Sequence, residues 1–311
     1  MPVAIVGGGT FGQGLALAAA RTGRRVLLWS RTARELGHEH IQCTTDLAQL
    51  SQAEIMFVAV PSPHINGVAD SLCPHVSGAQ MMVHVSRGVV GDELTTVSEV
   101  LRRRTPCRRV GVLAGPLVAG ALAEGAPSGG VVGTLFPEVA DAVIEAIGGP
   151  KLRVYTTTDV IGVELGAAFV GLVALALGFA MAQKLGPSTL AVLATRGLAE
   201  GARVGSIFGA NERTFAGLAG AGDLMAAIAG DQRPEVAFGM ALANGMAAEQ
   251  AAQRAGAYVE GVAIARRIAA WADHHEVDVP ISTAIAHLIK GEISGEQVVH
   301  ELMTRPIGTG E

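Results

Sequence analysis

The sequence predicts an α/β fold, a doubly wound parallel sheet, followed by an all-helical domain. Short apolar runs alternate with helical patterns through the first half of the chain, as expected of strands buried on both faces. A glycine-rich junction, Gly7 to Gly12, follows the first of these runs. Beyond residue 156 nearly every segment has helical periodicity, led by the proline-free apolar stretch that opens at Asp159 and runs to Leu185 with one further acid, Glu164, near its start. These features place a dinucleotide-binding domain at 1–156 and a helical domain at 157–311.

At 311 residues the chain is long enough for two cores, and with 50% hydrophobic but only 4% aromatic residues those cores must be built of Ala, Val, Leu and Gly. A net charge of -5 offers no electrostatic footprint for nucleic acid. Cys43, Cys73 and Cys107 are odd in number and widely spaced, which fits a reducing compartment and no metal cage. Met1 leads directly into a strand, leaving no room for a signal peptide, so a cytoplasmic location is expected.

The first strand spans Pro2 to Val6 and runs into Gly7-Gly8-Gly9-Thr10-Phe11-Gly12, then into an Ala-rich helix. This is G-x-G-x-x-G between a strand and a helix, the Rossmann arrangement. Gly7 permits the tight turn, Gly9 admits a pyrophosphate, Gly12 lets helix and strand touch, and the amides at Thr10 and Phe11 face the phosphates. The second strand, Arg25 to Trp29, ends at Ser30-Arg31 where NAD-binding folds carry an acid; that pair suits a 2′-phosphate and favours NADP over NAD. Residues 33–49 are polar, and His38-Glu39-His40 reads as a solvated turn rather than a metal site. Strands are expected at 53–60, ending at Pro61 beside the cofactor cleft, then at 80–85 before Ser86-Arg87-Gly88. Three more follow at 108–113, 131–134 and 152–156. The arginines from Arg102 to Arg109 read as the solvated end of a helix.

The run after Asp159 reaches the length of a membrane span, but its Gly and Ala content and its flanks without Arg/Lys clusters favour a helix buried in protein. Asp159 suits its N-cap and Glu164 its dipole. The dense glycines of residues 214–224 lead to Asp223, either a plain helix cap or a functional acid near the cleft. The helices after Val259 suit either core or a dimer interface.

With these segments in view, the chain resembles the bacterial NAD(P)-dependent glycerol-3-phosphate dehydrogenases along essentially its whole length. The resemblance rests on IVGGGTFGQGLA, LLWSR, EIMFVAVPS, RVYTTTDVIGVELG, TRGLAE, TFAGLAGAGDL, YVEGV and VDVPIS. It implies a Rossmann domain, an all-helical domain of the 6-phosphogluconate-dehydrogenase-like kind and a homodimer. It also implies hydride transfer between nicotinamide and a small 2-keto or 2-hydroxy substrate, with Arg87, Asp223 and Glu260 among the site residues.

The family's catalytic motif does not carry over. Its proton-donating lysine falls at Val170 and the following asparagine at Gly171. Valine can neither donate a proton nor stabilise an alkoxide, functions typically worth about a hundredfold to ten-thousandfold each. Lys184, read as part of the same helix, lies about 21 Å further on and cannot substitute. A second family lysine corresponds to Arg87, which keeps the charge but is a poor proton donor. The family's phosphate-gripping S-R-N-R aligns with Arg233-Pro234-Glu235-Val236, where only Arg233, one place off, could still reach an anion and Glu235 would repel one. Asp223, Thr195 and Arg196 remain.

Three readings follow. The first is an NADP-dependent oxidoreductase on an altered, less anionic carbonyl substrate, with Asp223, His84 or water held by Arg87 supplying the proton. The second is ordinary glycerol-3-phosphate dehydrogenase activity with a compensated site, and the third is an inactive dinucleotide-binding paralogue. The first ranks ahead because the cofactor motif and the GAGD turn are complete. A small-molecule substrate is expected, with no nucleic-acid partner and no membrane insertion.

Overall fold

The computed structural model describes residues 2–230 and 233–304. Eight strands form one sheet: β1 Val3–Val6, β2 Val26–Trp29, β3 Ile41–Thr44, β4 Ile55–Val58, β5 Met81–His84, β6 Arg109–Ala114, β7 Ser128–Thr134 and β8 Leu152–Thr157. Their order is β3-β2-β1-β4-β5-β6-β7-β8, parallel throughout except where β7 runs antiparallel to β6. The expected doubly wound parallel sheet is therefore present, with one antiparallel junction. The first five helices serve this sheet: α1 Thr10–Ala20, α2 Ile65–Leu72, α3 Val97–Arg104, α4 Ala119–Glu124 and α5 Pro137–Ile147. Two apolar cores lie on its opposite faces, one around Leu15, Phe57 and Val143, the other around Leu50, Met56 and Leu101.

β3 was not expected. Ile41–Thr44 is four residues long, half-exposed and at the sheet edge, so it lacks the apolar run that reveals its neighbours. His38, Glu39 and His40 sit on the loop before it, with His40 3.6 Å from Glu39. Arg102, Arg103 and Arg104 end α3 as expected, with Arg103 paired to Glu99 and Arg104 to Asp70, but Arg108 lies beyond the helix and Arg109 opens β6, which corrects the rest of the run.

The remaining helices are α6 Val160–Ala182, α7 Pro187–Ile207, α8 Glu212–Ala216, α9 Asp223–Ala229, α10 Pro234–Ala243, α11 Ala248–Ala255, α12 Glu260–His274, α13 Pro280–Lys290 and α14 Gly295–Thr304. Among the described residues α6 alone is long and apolar enough to cross a membrane, and 94% of its most apolar window is buried inside the fold. Its neighbours reach it through glycines. A Cβ at Gly239 of α10 would overlap the Leu175 carbonyl, and one at Gly178 would overlap that of Val236. Gly197 and Gly201 of α7 admit Val173 and Phe169, and Gly261 of α12 abuts Gly171. Helices without side chains at the contact pack closer, so each buried Leu, Val or Phe of α6 realises roughly 1.5–3 kcal/mol of transfer free energy. Ile264, Ile268 and Trp271 of α12 and Ile281, Ile285 and Ile289 of α13 join this core, so these faces of the helices after Val259 are core.

Polar groups tie the helices down. Asp159 caps α6 through Gly162 N–H and also accepts from Thr214 Oγ1 at 2.6 Å. Glu164 does more than answer the helix dipole: it is fully buried, accepts from Ser98 N–H at 2.9 Å and lies 2.8 Å from His84 of β5. Glu200 of α7 caps α13 across the core, accepting from Ile281 N–H, Ser282 N–H and Ser282 Oγ at 2.8, 2.9 and 2.6 Å. α6 ends at Ala182, so Lys184 lies beyond the helix, exposed and in the left-handed region at φ 58°. This corrects its expected place on the helix.

Gly239→Ala is expected to push α10 off α6, costing about 1–3 kcal/mol and several degrees of Tm by calorimetry. An unchanged Tm would refute the backbone-to-backbone contact. Glu200→Ala removes three hydrogen bonds to α13 and should cost about 2–4 kcal/mol with no loss of dinucleotide affinity.

Candidate active site

The chain reverses sheet direction between β1 and β4, whose carboxyl ends lie side by side. In such sheets this crevice is where ligands bind. Gly7, at φ 121°, makes the turn out of β1, and a Cβ there would overlap the Ala59 carbonyl oxygen beyond β4. A Cβ on Gly12 would overlap the Gly7 carbonyl. Gly9, by contrast, is exposed with nothing within 4 Å of its Cβ position. Two glycines therefore close the turn and the third leaves it open. The first amides of α1, at Thr10, Phe11 and Gly12, have no intrahelical acceptor and present the positive end of the helix to that space. A dinucleotide pyrophosphate fits this cradle.

Ser30 is buried against Gly8, while Arg31 is exposed just beyond β2. Sequence reasoning passed over Arg34. Its Cδ lies 3.0 Å from the Gly8 Cβ position, so a second guanidinium side chain folds back over the glycine turn.

A line of charges crosses from the sheet to the helices in front of it. Arg87 follows β5; its Nη2 lies 3.4 Å from Asp223 Oδ1 and donates at 3.4 Å to the Gly115 and Leu117 carbonyls. Asp223 is nearly wholly buried at the start of α9. Its two oxygens receive Arg233 Nη1 at 3.0 Å and Nη2 at 3.4 Å, a two-pronged pairing. Arg233 Nε in turn donates to Glu235 Oε2 at 3.1 Å. Beyond Glu235, Glu260 opens α12 and accepts from Ser62 N–H at 2.7 Å and Ser62 Oγ at 2.6 Å, next to Pro61 after β4. A Cβ on Gly88 would collide with the same Glu260 carboxylate, so Gly88 makes room for the contact between sheet and helices.

The electrostatics follow from this arrangement. Burial and the Arg233 charge hold the Arg87 guanidinium below its usual value against the pull of Asp223 and Glu235. Burial alone would lower Arg233 as well, but the charges of Asp223 and Glu235 and their hydrogen bonds carry it above the ordinary value. Burial lifts the Glu260 carboxyl, the Ser62 hydrogen bonds oppose this, and the Glu235 charge adds to the rise.

Several expectations change here. Asp223 is no helix cap: Gly222 holds that position without a side-chain bond, after a π turn at Leu218–Gly222, and the carboxylate serves the two arginines. His84 is buried with Ser98 Oγ and Glu164 as its polar partners and is not in the charge line. Thr195 and Arg196 are exposed on α7, the threonine hydroxyl bonding Ala191 O. Arg233 does not stand free for an anion, because two carboxylates hold it. Ser62 and Gly88 stand in segments that the sequence places after strands, but their contact with Glu260 crosses more than 170 residues and left no signal there. Cavities of about 700 Å³ between α12, α13 and α14, and about 370 Å³ beside Tyr155 and Leu218, contain none of these charges.

Glu260→Gln keeps both Ser62 contacts, since the amide oxygen can accept from N–H and the amide nitrogen can donate to Oγ. A carboxyl raised on folding contributes stability fully present below its unfolded pKa and lost as pH rises through the folded one. Between pH 4 and 8 the Tm of Glu260→Gln should therefore gain on that of the unmodified protein as pH increases. A gap that shrinks with pH would contradict the assignment.

Comparison with known proteins identifies the family. Two family models match: the NAD-dependent glycerol-3-phosphate dehydrogenase N-terminus over residues 2–140, and its C-terminus over residues 159–300. A glycerol-3-phosphate dehydrogenase (NAD(P)+) of Parvibaculum lavamentivorans is 33% identical over 98% of this chain and 96% of its own length. One from Ectopseudomonas mendocina is 35% identical over 97% and 94%. The crystal structure of glycerol-3-phosphate dehydrogenase from Coxiella burnetii superposes with a TM-score of 0.92 at 29% identity, over 98% of this chain and 99% of that one. With its Rossmann sheet and the helical domain in front of it, this chain is an NAD(P)-dependent oxidoreductase that belongs to the glycerol-3-phosphate dehydrogenase family.

Proposed function

We propose that this protein interconverts a small carbonyl compound and its alcohol with NADPH as the preferred cofactor, on a substrate other than the family's phosphate ester. The observation that carries this reading is the pairing of Arg87 and Arg233 on Asp223 at the carboxyl edge of the sheet, between the glycine turn and the helices. Two fixed cations close to one buried acid are suited to stabilise an oxygen that gains negative charge. Arg87 is the group that meets that oxygen, and Asp223 fixes both guanidinium planes. When bound, the nicotinamide supplies the hydride.

Gly7, Gly9, Thr10, Phe11 and Gly12 hold the pyrophosphate in this reading. Ser30 and Arg31, with Arg34, face a 2′-phosphate. Pro61, Arg87 and Glu260 flank the nicotinamide end, where Glu260 keeps lone pairs beyond those given to Ser62. The chain divides into domains after β8, near residue 157; residues 305–311 of the helical part lie outside the described residues. Exposed Val192 and Ile207 of α7 and Met225 of α9 support a homodimer, and a cytoplasmic location accords with the sequence.

Fluorescence titration tests the cofactor assignment. Arg31→Ala should weaken NADPH binding about tenfold or more, the worth of a charged hydrogen bond, and leave NADH binding within about twofold. Equal losses for both cofactors would refute the 2′-phosphate role. NADPH oxidation across a panel of small carbonyl compounds tests the reaction; no turnover by a protein that binds NADPH would sink it.

A further inference from the structure

The pattern G-x-G-x-x-G makes no demand at its second position, yet the chain carries a glycine there, Gly8. A Cβ on Gly8 would stand 2.7 Å from Ser30 Cβ, 2.9 Å from Ser30 Oγ and 3.0 Å from Arg34 Cδ. The missing side chain lets the loop after β2 close onto the glycine turn. That loop is held on both sides of Arg34. Ser30 is buried and donates its N–H to the Thr44 carbonyl at 3.0 Å, and Leu36 packs against the core that contains Leu15 and Val26. The stem of Arg34 therefore rests on the turn, while the residue as a whole stays exposed.

Two observations mark its guanidinium as a ligand group. At the amino end of β2 the arginines are engaged: Arg24 pairs with Glu145 at 3.0 Å and Arg25 donates to Gln42 at 2.8 Å. At the carboxyl end, where ligands of such sheets bind, neither Arg31 nor Arg34 has a hydrogen bond or ion pair with any described residue. Arg34 also stays clear of the pyrophosphate cradle, since nothing lies within 4 Å of the Cβ position on Gly9. Its head is left on the Ser30 side of the turn, where the adenosine ribose gives way to the base. Residues 30–37 and 59–63, which follow β2 and β4 at this crevice, include no aromatic side chain to stack on that base. A guanidinium plane can take this part, and its N–H edge remains free for an anion.

Resting on the cofactor reading above, we propose that Arg34 is the adenine-binding residue of this site. The face of its guanidinium covers the base, and an N–H at its edge reaches the 2′-phosphate. Arg31, whose stem has no such support, serves the 2′-phosphate alone. Because Gly8 already fixes the stem of Arg34, little side-chain freedom is lost when the base arrives.

Calorimetric titration of the full chain with NADPH and with NADH tests this on Arg34→Ala, Arg34→Lys and Arg31→Ala. NADH carries the base without the 2′-phosphate, so it isolates the stacking contact. Arg34→Ala should weaken NADH binding about fivefold and NADPH binding about tenfold or more, whereas Arg31→Ala should weaken NADPH alone. Lysine keeps an aliphatic stem on Gly8 and the charge, but not the plane. Arg34→Lys should therefore bind NADH as weakly as Arg34→Ala while recovering part of the NADPH affinity. Full recovery of NADH affinity by lysine would reduce Arg34 to a support for the turn and overturn the proposal. NADH affinity in Arg34→Ala within about twofold of the unmodified protein would overturn it as well. The preference for NADP fails separately: an unmodified protein that binds NADH more tightly than NADPH would end that reading, and the loss of NADH affinity in Arg34→Ala would still uphold the adenine contact. Binding of neither dinucleotide by the unmodified protein would overturn both.

Discussion

The contact on which the most other features depend is the close approach of α10 and α12 to α6, made backbone to backbone through Gly178, Gly239, Gly171 and Gly261. Because no side chain separates them, the N-terminal ends of α10 and α12 are brought within reach of the sheet. Those ends carry Arg233, Glu235 and Glu260. The same helix anchors the other side: a Cβ on Gly166 would touch the Ala219 backbone, on the turn that delivers Asp223. A helix with no polar side chain at Val170 or Gly171 thus acts as a wall against which charges from other elements are arranged.

The charges form one connected system. Arg87 comes from the sheet, Asp223 and Arg233 from the helical half, and Glu260 returns to the sheet through Ser62. Opposite charges alternate from Arg87 to Glu235, so each of these ions has a partner within hydrogen-bond or ion-pair distance, the condition under which buried charge is tolerated. Glu260, with the like charge of Glu235 nearby, is held by Ser62. Packing reinforces the line from behind, since Val89 and Leu94 of the loop after Arg87 lie in the helical core and Arg267 of α12 bonds the Val89 carbonyl.

The sheet and the long helix were legible because buried strands and a core helix write themselves as continuous apolar runs. The glycine turn was legible for a different reason: its spacing is a short local pattern, with Gly7 and Gly12 lacking room for a Cβ and Gly9 leaving the cradle open. β3 was hidden because an edge strand buries little. The substrate side was only half legible. Replacement of polar groups at Val170 and Gly171 could be seen, and so could the acid at Glu235. What filled the space could not, since Arg233, Asp223 and Arg87 meet across more than a hundred residues of chain. Asp223 and Glu164 show the same limit: residue type and position suited a cap and a dipole, while long-range partners gave each carboxylate another task.

The most direct test of this account is Asp223→Asn, which keeps the side-chain volume and removes the charge that holds both arginines. NADPH affinity and NADPH oxidation should be measured on the same preparation. The account predicts affinity within about twofold of the unmodified protein and turnover lower by about a hundredfold or more, because the guanidinium groups lose their orientation. Turnover unchanged by the substitution would contradict it and move the reacting centre away from this line of charges.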